Sequence, residues 1–585
     1  MKKRFAKLTA LGLAGAMLAT CMTGCGGSSS SSEDATAFTW LIDAAPNTIF
    51  YDEYEENPNY KYWSSMEWDV DGETKTISID FITPPAGAEK DNINTLLATG
   101  EYPDVMSLSY SSASATQLYE QGIALDLTDY IDQYMPNYKA WMEEHPEYAA
   151  LMTNNVDGED RYLQLYTVAD QAGEMWGGFT YRRDWIVKYG TNPETGEAFT
   201  GAWEGDEWVD DVVFPSGNTD PYYISDWEWM FEIFDKALAD QGITDGYACT
   251  LPYPGFYGTQ DLTSGFGEGC LWYLDEDGKV CFGGDSDAFR AYIECMNTWY
   301  EKGWIDPAFD ERTSDTFFMI DTASTYSGKV GAWYGMSSQL GDLLDTSNGD
   351  ETNPINGIVL YCAPQPINDV YGTEAEQGTT PFSFYGNSLV SGGVVITNKA
   401  EDKDIAALLT AIDYMYSYEG GLLKTYGLSD VQQAEIQDEF LNEHGLSAGL
   451  YSIDDDGVIH VNNDRDAEDG LADASIFSRV CGLNVNANCD HGYPEFKQKN
   501  LDLWIMYSDY GQIDATVSSQ LSSDQSDENS QIMTNVTTYM YQAVADFVTG
   551  RQDIDDDAAW QAYCDELTGY GTDTYTNNYN TAIGK

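Results

Sequence analysis

Residues 76–108 restrict the fold of this chain more than any other part of the sequence. Apolar and polar side chains alternate over 76–82, which predicts a β-strand with one buried face. Residues 89–99 have the apolar spacing of an amphipathic helix, and Gly100 is a typical helix-ending residue. A second apolar run at 104–108 completes the order strand, helix, strand. This order predicts two parallel strands joined by a right-handed crossover.

A parallel pair of strands also predicts where a ligand would bind. In open α/β sheets, ligands bind outside the carboxyl ends of the strands. The loop at 109–113 follows the second predicted strand, so we expect it to face a bound ligand.

Strands and helices alternate along most of the remaining chain. Residues 177–185 predict a strand that runs into a helix, and further strands are predicted at 330–334, 358–362 and 393–397. Helices are predicted at 225–242 with a capping box of Ser225 and Glu228, at 290–303, at 404–418 ending at Gly420 and Gly421, and at 531–548 and 558–567. The pattern indicates an α/β fold with doubly wound sheets, and a length of 585 residues indicates two or more lobes.

The first residues are typical of an export signal. Lysine and arginine at 2–4 and 7 precede an apolar run at 8–20, which is too short to remain as a membrane-spanning helix. The run ends in Met-Thr-Gly-Cys, and small residues before a cysteine resemble the bacterial lipobox. We expect residues 1–24 to be cleaved as a signal peptide, Cys25 to be diacylated, and the Gly- and Ser-rich residues 25–37 to form a flexible tether. An ordinary signal peptide with an incidental cysteine is the alternative.

Charge and composition limit the partners that this chain can have. It carries 98 acidic and 27 basic side chains and a net charge of −71, which disfavours nucleic acid and anionic lipid surfaces as partners. A neutral ligand meets no such repulsion. The 42 tyrosines and 16 tryptophans are more than a core needs, and such rings also provide flat apolar platforms with polar edges.

The sequence predicts neither a metal site nor a cofactor. Eight cysteines remain after cleavage and lipidation, and their spacing fits no zinc site; Cys481 and Cys489 are the best candidates for a disulfide. Four histidines without an HExxH motif disfavour a zinc hydrolase. Acidic stretches at 275–280 and 453–458 are similar to calcium loops, but both lack the closing glutamate, so we interpret them as turns.

Seven segments, taken together and in order, resemble the extracellular solute-binding proteins of carbohydrate ABC transporters, in the Gram-positive lipoprotein branch of the maltose-binding-like family 1. They are LLATGEYPDVMSL (96–108), GIALDLTDYID (122–132), FTYRRDW (179–185), YEKGWIDPAF (300–309), SGKVGAWYG (327–335), GGVVITNKAEDKDIAALLTAIDYMYS (392–417) and FVTGRQDIDDDAAWQAYCDEL (547–567). The resemblance implies a two-lobed, type II periplasmic-binding-protein-like fold that closes on an oligosaccharide and delivers it to permease subunits. On this basis we expect one lobe from 38–175 plus 365–440 and a second from 176–364 plus 441–585.

The resemblance also implies which residues face the sugar. Three pairs correspond to ligand-facing positions of the family: Ser109 and Tyr110, Met175 and Trp176, Trp333 and Tyr334. Aromatic faces stack on the C–H side of a pyranose while polar groups bind its hydroxyls, and core packing is the alternative for the tryptophans.

Three further residues are weaker candidates for sugar contact. Tyr257 and Trp272 lie in a glycine- and aromatic-rich insertion that would line the cleft or its rim. Arg182 would bind an acidic sugar if it faces the cleft; alternatively, Arg182 and Arg183 pair with Asp184 and other nearby acids.

Two other functions remain open from the sequence. A glycoside hydrolase needs only two suitably spaced carboxylates, which a chain this acidic will contain, although no local motif of a nucleophile and its base is present. A surface glycan-binding module that works without a transporter is the second. We expect a lipid-anchored extracellular binding protein that performs no chemistry.

Overall fold

A computed structural model describes most of the chain. The described residues are 35–42, 57–85, 88–109, 111, 113–173, 177–205, 207–250, 262–311, 325, 327–336, 357–382, 388–462, 479–490, 495–507, 511 and 513–585. The predicted signal peptide and Cys25 lie outside these ranges, as do Tyr110, Met175, Trp176 and Tyr257.

The strands are short and come from the whole length of the chain. In chain order they are β1 Ala37–Leu41, β2 Trp68–Val70, β3 Glu73–Lys75, β4 Ser78–Ile82, β5 Val105–Ser107, β6 Asn154–Val156, β7 Glu159–Arg161, β8 Leu165–Ala169, β9 Gly177–Arg182, β10 Gly201–Glu204, β11 Glu207–Asp210, β12 Tyr247–Cys249, β13 Trp272–Leu274, β14 Val280–Phe282, β15 Val330–Met336, β16 Leu360–Cys362, β17 Val390–Ile396, β18 Tyr451–Ile453, β19 Ile459–Val461, β20 Leu483–Asn484 and β21 Cys489–Asp490.

The helices lie mainly between the strands and at the carboxyl-terminal end. In chain order they are α1 Pro58–Ser64, α2 Glu89–Thr99, α3 Ala115–Glu120, α4 Thr128–Tyr134, α5 Pro136–Glu144, α6 Pro146–Ala149, α7 Arg183–Tyr189, α8 Ile224–Gln241, α9 Asp287–Glu301, α10 Ile405–Tyr414, α11 Tyr418–Tyr426, α12 Asp430–Ile436, α13 Glu439–Glu443, α14 Glu495–Trp504, α15 Ala515–Ser518, α16 Ser523–Val548, α17 Asp557–Tyr570 and α18 Thr572–Ala582. Within the described ranges, none of them is long and apolar enough to cross a membrane.

A six-stranded sheet organises the first lobe, in the order β20-β8-β17-β5-β1-β4. β1 lies between β4 and β5 and is parallel to both, so the predicted parallel direction of β4 and β5 is confirmed, with an inserted strand between them. β17 is antiparallel to β5 and to β8. The predicted helix 89–99 is confirmed with the same bounds as α2, and it ends at Gly100 in the left-handed region with φ 72°.

A four-stranded sheet organises the second lobe, in the order β12-β15-β9-β16. Helix α8 covers it with an apolar stripe that is at most 6% exposed and consists of Trp227, Met230, Phe231, Phe234 and Leu238. The stripe is core, as its spacing predicts. The predicted capping box is wrong, because Asp226 instead bonds the backbone N–H of Tyr223, and Ser225 donates to Asp369.

The two hydrophobic cores divide the chain differently from the sequence expectation in two places. Residues 441–485, expected in the second lobe, contribute Leu441, Leu450 and Leu483 to the first core. Residues 365–382, expected in the first lobe, pack on the second, where Phe382 stacks on Tyr273. The described residues up to 173 and from 388 to 490 thus pack mainly in the first lobe, and those from 177 to 382 and from 495 onward pack mainly in the second.

Two local predictions in the first lobe are wrong. The residue pair Gly420 and Gly421 does not end a helix but lies buried inside α11, where a side chain on Gly420 would meet the carbonyl oxygen of Tyr414 at 1.9 Å. Cys481 and Cys489 both carry free thiols. Burial of the Cys481 thiol raises its pKa to about 12.

Candidate functional site

A cavity of about 540 Å³ lies between the two lobes. From the first lobe, its wall takes the loop after β5, the start of α3 and the glycines of β17; from the second lobe it takes residues of α15, α16 and α18. The described lining residues are Lys90, Leu108, Ser109, Ser111, Ala113, Ser114, Ala115, Gln164, Gly392, Gly393, Ala515, Ser518, Ser519, Leu521, Ser526, Asn529, Ser530, Met533, Thr534, Tyr575 and Tyr579. The predicted loop 109–113 therefore borders an inter-lobe space.

A second cavity of about 420 Å³ adjoins the first and shares Ser109, Gly392 and Gly393 with it. Its wall is mostly polar. The described lining residues are Ser107, Ser109, Thr167, Ser391, Gly392, Gly393, Val394, Arg479, Cys481 and Asn484. Together, the two cavities lie along the six-stranded sheet at the end of β5, beside Gln164 just before β8 and Thr167 within it.

The glycines of β17 shape this edge. The register of β17 against β8 shifts between Ser391 and Gly393, which is a β-bulge. Gly392 has a φ of +34°, and a side chain at Gly393 would lie 2.9 Å from Oε1 of Gln164. The pair bends the strand and keeps the space above it open.

The segment 513–523 closes one side of the space and contacts both lobes. Asn154 of the first lobe donates to the carbonyl oxygen of Ser519 at 2.7 Å, and Gln520 donates to that of Leu151 at 2.7 Å. The side chain of Asp514 caps α15 by accepting from two backbone N–H groups. A further inter-lobe bond runs from Gln117 to Asp527 at 2.9 Å. These bonds fix α15 and the start of α16 against the first lobe.

Two tyrosines of α18 supply the aromatic part of the wall. Tyr575 and Tyr579 are one helical turn apart, and Tyr575 stacks on Trp272 with ring centroids 3.8 Å apart. The indole N–H of Trp272 donates to Thr576 at 3.1 Å. Trp272 thus supports the tyrosine that lines the cavity.

Comparisons with known proteins identify the fold. No protein-family model matches the chain. The fructooligosaccharide ABC transporter substrate-binding protein FusA of Streptococcus pneumoniae is 26% identical over 272 residues, which is 42% of this chain and 41% of that protein. The match thus spans less than half the length of that relative.

Solved structures match over nearly the whole chain. FusA, as an EF-hand mutant in complex with fructo-nystose, superposes with a TM-score of 0.62 and 16% identity, over 94% of this chain and 99% of that one. An extracellular solute-binding protein from Bifidobacterium longum subsp. infantis gives a TM-score of 0.65 and 16% identity, over 95% and 100%. The chain has the solute-binding-protein fold. These relatives are binding proteins, not enzymes.

Within this solute-binding fold, Trp333 does not face the cavity, contrary to the sequence expectation. Its side chain is 2% exposed and packs against Leu360, Leu501 and Trp504. The reason is that helix α14 covers this face of the four-stranded sheet. Tyr334 points to the opposite face, where its ring meets Phe179 edge-on at 5.7 Å, and it is absent from the described walls of both cavities.

Arg182 and Arg183 are ion-paired, as the alternative interpretation of the sequence holds. Arg182 donates to both carboxylate oxygens of Asp184 at 2.8 and 2.6 Å. Arg183 binds Asp210 in the same bidentate way, at 2.8 and 2.7 Å. Burial raises the pKa of Asp210, but the hydrogen bonds and charge of Arg183 outweigh it and leave the pKa lowered. Neither Arg182 nor Trp272 belongs to the described walls of the two cavities, and Trp272 is 6% exposed.

Of the predicted site residues, the structure places Ser109 in the cavity wall, where it accepts a hydrogen bond from the hydroxyl of Ser107 at 3.2 Å. Tyr110, Met175, Trp176 and Tyr257 lie outside the described residues. Sequence reasoning missed Asn529 and Tyr575. The spacing of Tyr575 and Tyr579 by four residues was the available signal, because it marks one helix face.

The acidic stretches are turns, as predicted. Asp275 and Asp454 each accept two backbone N–H groups within their own loop and close the β13–β14 and β18–β19 hairpins. Among the described residues, no group of three metal-ligating side chains comes together.

Proposed function

We propose that this protein is a lipid-anchored extracellular receptor that captures an oligosaccharide between its lobes and passes it, unchanged, to the permease of an ABC transporter. The observation that carries the proposal is the cavity of about 540 Å³, which takes its walls from both lobes of a solute-binding fold. A wall shared by two lobes lets closure remove water from the ligand on both sides.

The chemistry of the wall suits a sugar. Hydroxyl groups of Ser109, Ser526 and Ser530 can both donate and accept, and the small exposed parts of Tyr575 and Tyr579 add apolar contact for C–H groups. FusA is named for fructooligosaccharides and has been solved with fructo-nystose, which supports an oligosaccharide as the ligand class here. Cys25 as lipid anchor and permease subunits as partners belong to the same proposal.

The proposal is tested with purified protein lacking residues 1–25 and a panel of neutral and acidic oligosaccharides. Calorimetric titration measures binding, and chromatography of each sugar afterwards measures its integrity. We expect saturable binding of at least one oligosaccharide and its full recovery. Release of shorter products would instead support a hydrolase, and no binding of any member would overturn the proposal.

Transport is separated from capture by a second experiment. Deletion of this gene should abolish uptake of the bound oligosaccharide by the intact cell, and reintroduction with Cys25→Ala should release the protein into the medium. Unchanged uptake in the deletion strain would favour a surface glycan-binding protein that works without a transporter.

A further inference from the structure

The cavity wall differs in charge from the rest of the molecule. About one residue in six of this chain is Asp or Glu. Yet none of the described residues that line either adjoining cavity is acidic, whereas Lys90 and Arg479 are basic. A smaller cavity of about 220 Å³ in the second lobe is different, because its wall contains the acidic residues Glu207 and Asp210 beside the basic residues Arg183 and Lys499.

Arg479 is the most informative of these cations. Within the described ranges, the other five arginines each have a carboxylate within ion-pair distance: Arg161, Arg182, Arg183, Arg290 and Arg551. No described carboxylate lies within 4.0 Å of Arg479, which is half-buried at the wall of the 420 Å³ cavity. In a chain with so many acids, a guanidinium at a cavity wall with no carboxylate partner among the described residues is suited to bind an anion.

A buried lysine adds positive charge behind the same wall. Lys424 is fully buried and donates a hydrogen bond to Oδ1 of Asn484, which lines the cavity. That bond leaves the amide nitrogen of Asn484 as the atom that can donate to a ligand. Burial lowers the pKa of Lys424 to about 8, so it is still mostly protonated at pH 7, and the neighbouring Cys481 thiol remains neutral.

The opposite wall contributes a further donor. Asn529 on α16 is 3% exposed, and its Oδ1 accepts a hydrogen bond from Asn578 at 2.9 Å. Its amide nitrogen is buried and has no hydrogen-bond partner among the described residues. A buried donor of this kind is costly unless a ligand or water satisfies it.

We propose that the ligand is an acidic oligosaccharide whose carboxylate binds Arg479, at a cavity whose described lining residues include no acidic side chain. The inference rests on the proposed function and narrows its ligand class. A carboxylate only accepts hydrogen bonds, which matches Arg479, Asn484 and Asn529, while Lys90 and Lys424 supply favourable potential. A neutral sugar would gain nothing from that charge.

The test compares oligosaccharides that differ only in charge. A set of uronic-acid oligosaccharides of several linkages is titrated beside the same set with each carboxyl reduced to a hydroxymethyl group. We expect an acidic member to bind about tenfold or more tightly than its reduced counterpart, with affinity falling as salt is raised. If a reduced member binds as tightly as its acidic counterpart, the inference fails and the receptor proposal stands. If no member of this set binds, the inference fails, and titration of the wider panel of neutral and acidic oligosaccharides decides the receptor proposal.

Two variants test whether Arg479 causes the preference for the acidic oligosaccharide. Arg479→Gln removes the charge but keeps an amide donor, and should weaken binding of the acidic member by about tenfold or more. It should weaken binding of any neutral member by less than about threefold. Lys188→Gln removes one positive charge from an exposed position outside the cavities and is the matched control. An equal loss in Arg479→Gln and Lys188→Gln, or an unchanged preference in Arg479→Gln, would overturn the role of Arg479.

Discussion

At the scale of single residues, the ion pair of Arg183 and Asp210 is the clearest case of charge buried for structure rather than for binding. Both side chains are 3% exposed. Arg183 also donates to the carbonyl oxygen of Thr219 at 2.7 Å, and its guanidinium lies 4.6 Å from the ring of Tyr361. These contacts use the donors of the guanidinium within the second lobe.

Asp210→Asn should lower the free energy of unfolding at pH 7 by about 3–5 kcal/mol, because it leaves the buried charge of Arg183 unpaired. The folded-state pKa of Asp210 is lowered, so its contribution is present above the unfolded pKa of about 4 and is lost as pH falls through the folded value. Urea unfolding at pH 7 and below pH 4 measures this, and the gap between wild type and variant should shrink in acid. Asp546→Asn, at an exposed ion pair, is the control and should cost about 1 kcal/mol or less. A gap that widens in acid would contradict the assignment.

Trp333→Ala should lower the free energy of unfolding by about 3–5 kcal/mol, because it empties a packed site under α14. Trp203, 43% exposed on the β10–β11 hairpin, is the matched control, and Trp203→Ala should cost about 1 kcal/mol or less. Thermal and urea unfolding measure both. Equal stability of the two variants would show that Trp333 is not a core residue.

At the scale of elements, close packing of α14 on the four-stranded sheet explains the glycines of β9. A side chain at Gly178 would lie 2.4 Å from the ring of Trp504, whose indole N–H donates to the carbonyl oxygen of Phe179 at 2.8 Å. The helix can therefore lie directly on the strand only if residue 178 lacks a side chain.

Gly178→Ala should lower the free energy of unfolding by about 1–3 kcal/mol, because the added methyl group displaces Trp504 and α14. Gly569→Ala is the control: nothing lies within 4 Å of its new side chain in helix α17, and alanine should stabilise the helix by about 0.5–1 kcal/mol. Urea unfolding and tryptophan fluorescence of the native state measure both effects. A Gly178→Ala variant as stable as Gly569→Ala would contradict the packing described here.

Helices and strands were predictable from the sequence where the spacing of apolar residues indicates one buried face. The helix at 89–99 and the stripe of α8 are such cases, because each has one apolar side and one polar side. β9 is different, because all six of its residues are buried, and β15 is also buried around Trp333. A strand that is covered on both faces has no alternation of apolar and polar residues, so its sequence does not show which face meets a ligand.

The second wall of the cavity was not predictable for another reason. Asn529 and Tyr575 lie on helices near the carboxyl terminus, more than 400 residues from Ser109 in sequence. No local pattern reports that α16 and α18 dock beside the loop after β5. The lobe boundaries were not predictable for the same reason, because no local pattern shows that residues 441–485 remain in the first core.

At the scale of the whole molecule, the two lobes share the cavity but not their cores. A ligand that binds only the folded, closed protein should raise the free energy of unfolding by about 2.7 kcal/mol at a hundredfold excess over its Kd. Thermal unfolding with increasing ligand measures this as a steadily rising Tm. A sugar that binds in titration but leaves the Tm unchanged at this excess would contradict binding between the lobes of the native state.

A crystal structure with the oligosaccharide that binds in titration would show whether the sugar is held between the lobes. We expect sugar density in the cavity between the lobes, in contact with Ser109 of the first lobe and Tyr575 of the second. Sugar bound to the surface of one lobe, with that cavity left to solvent, would contradict it.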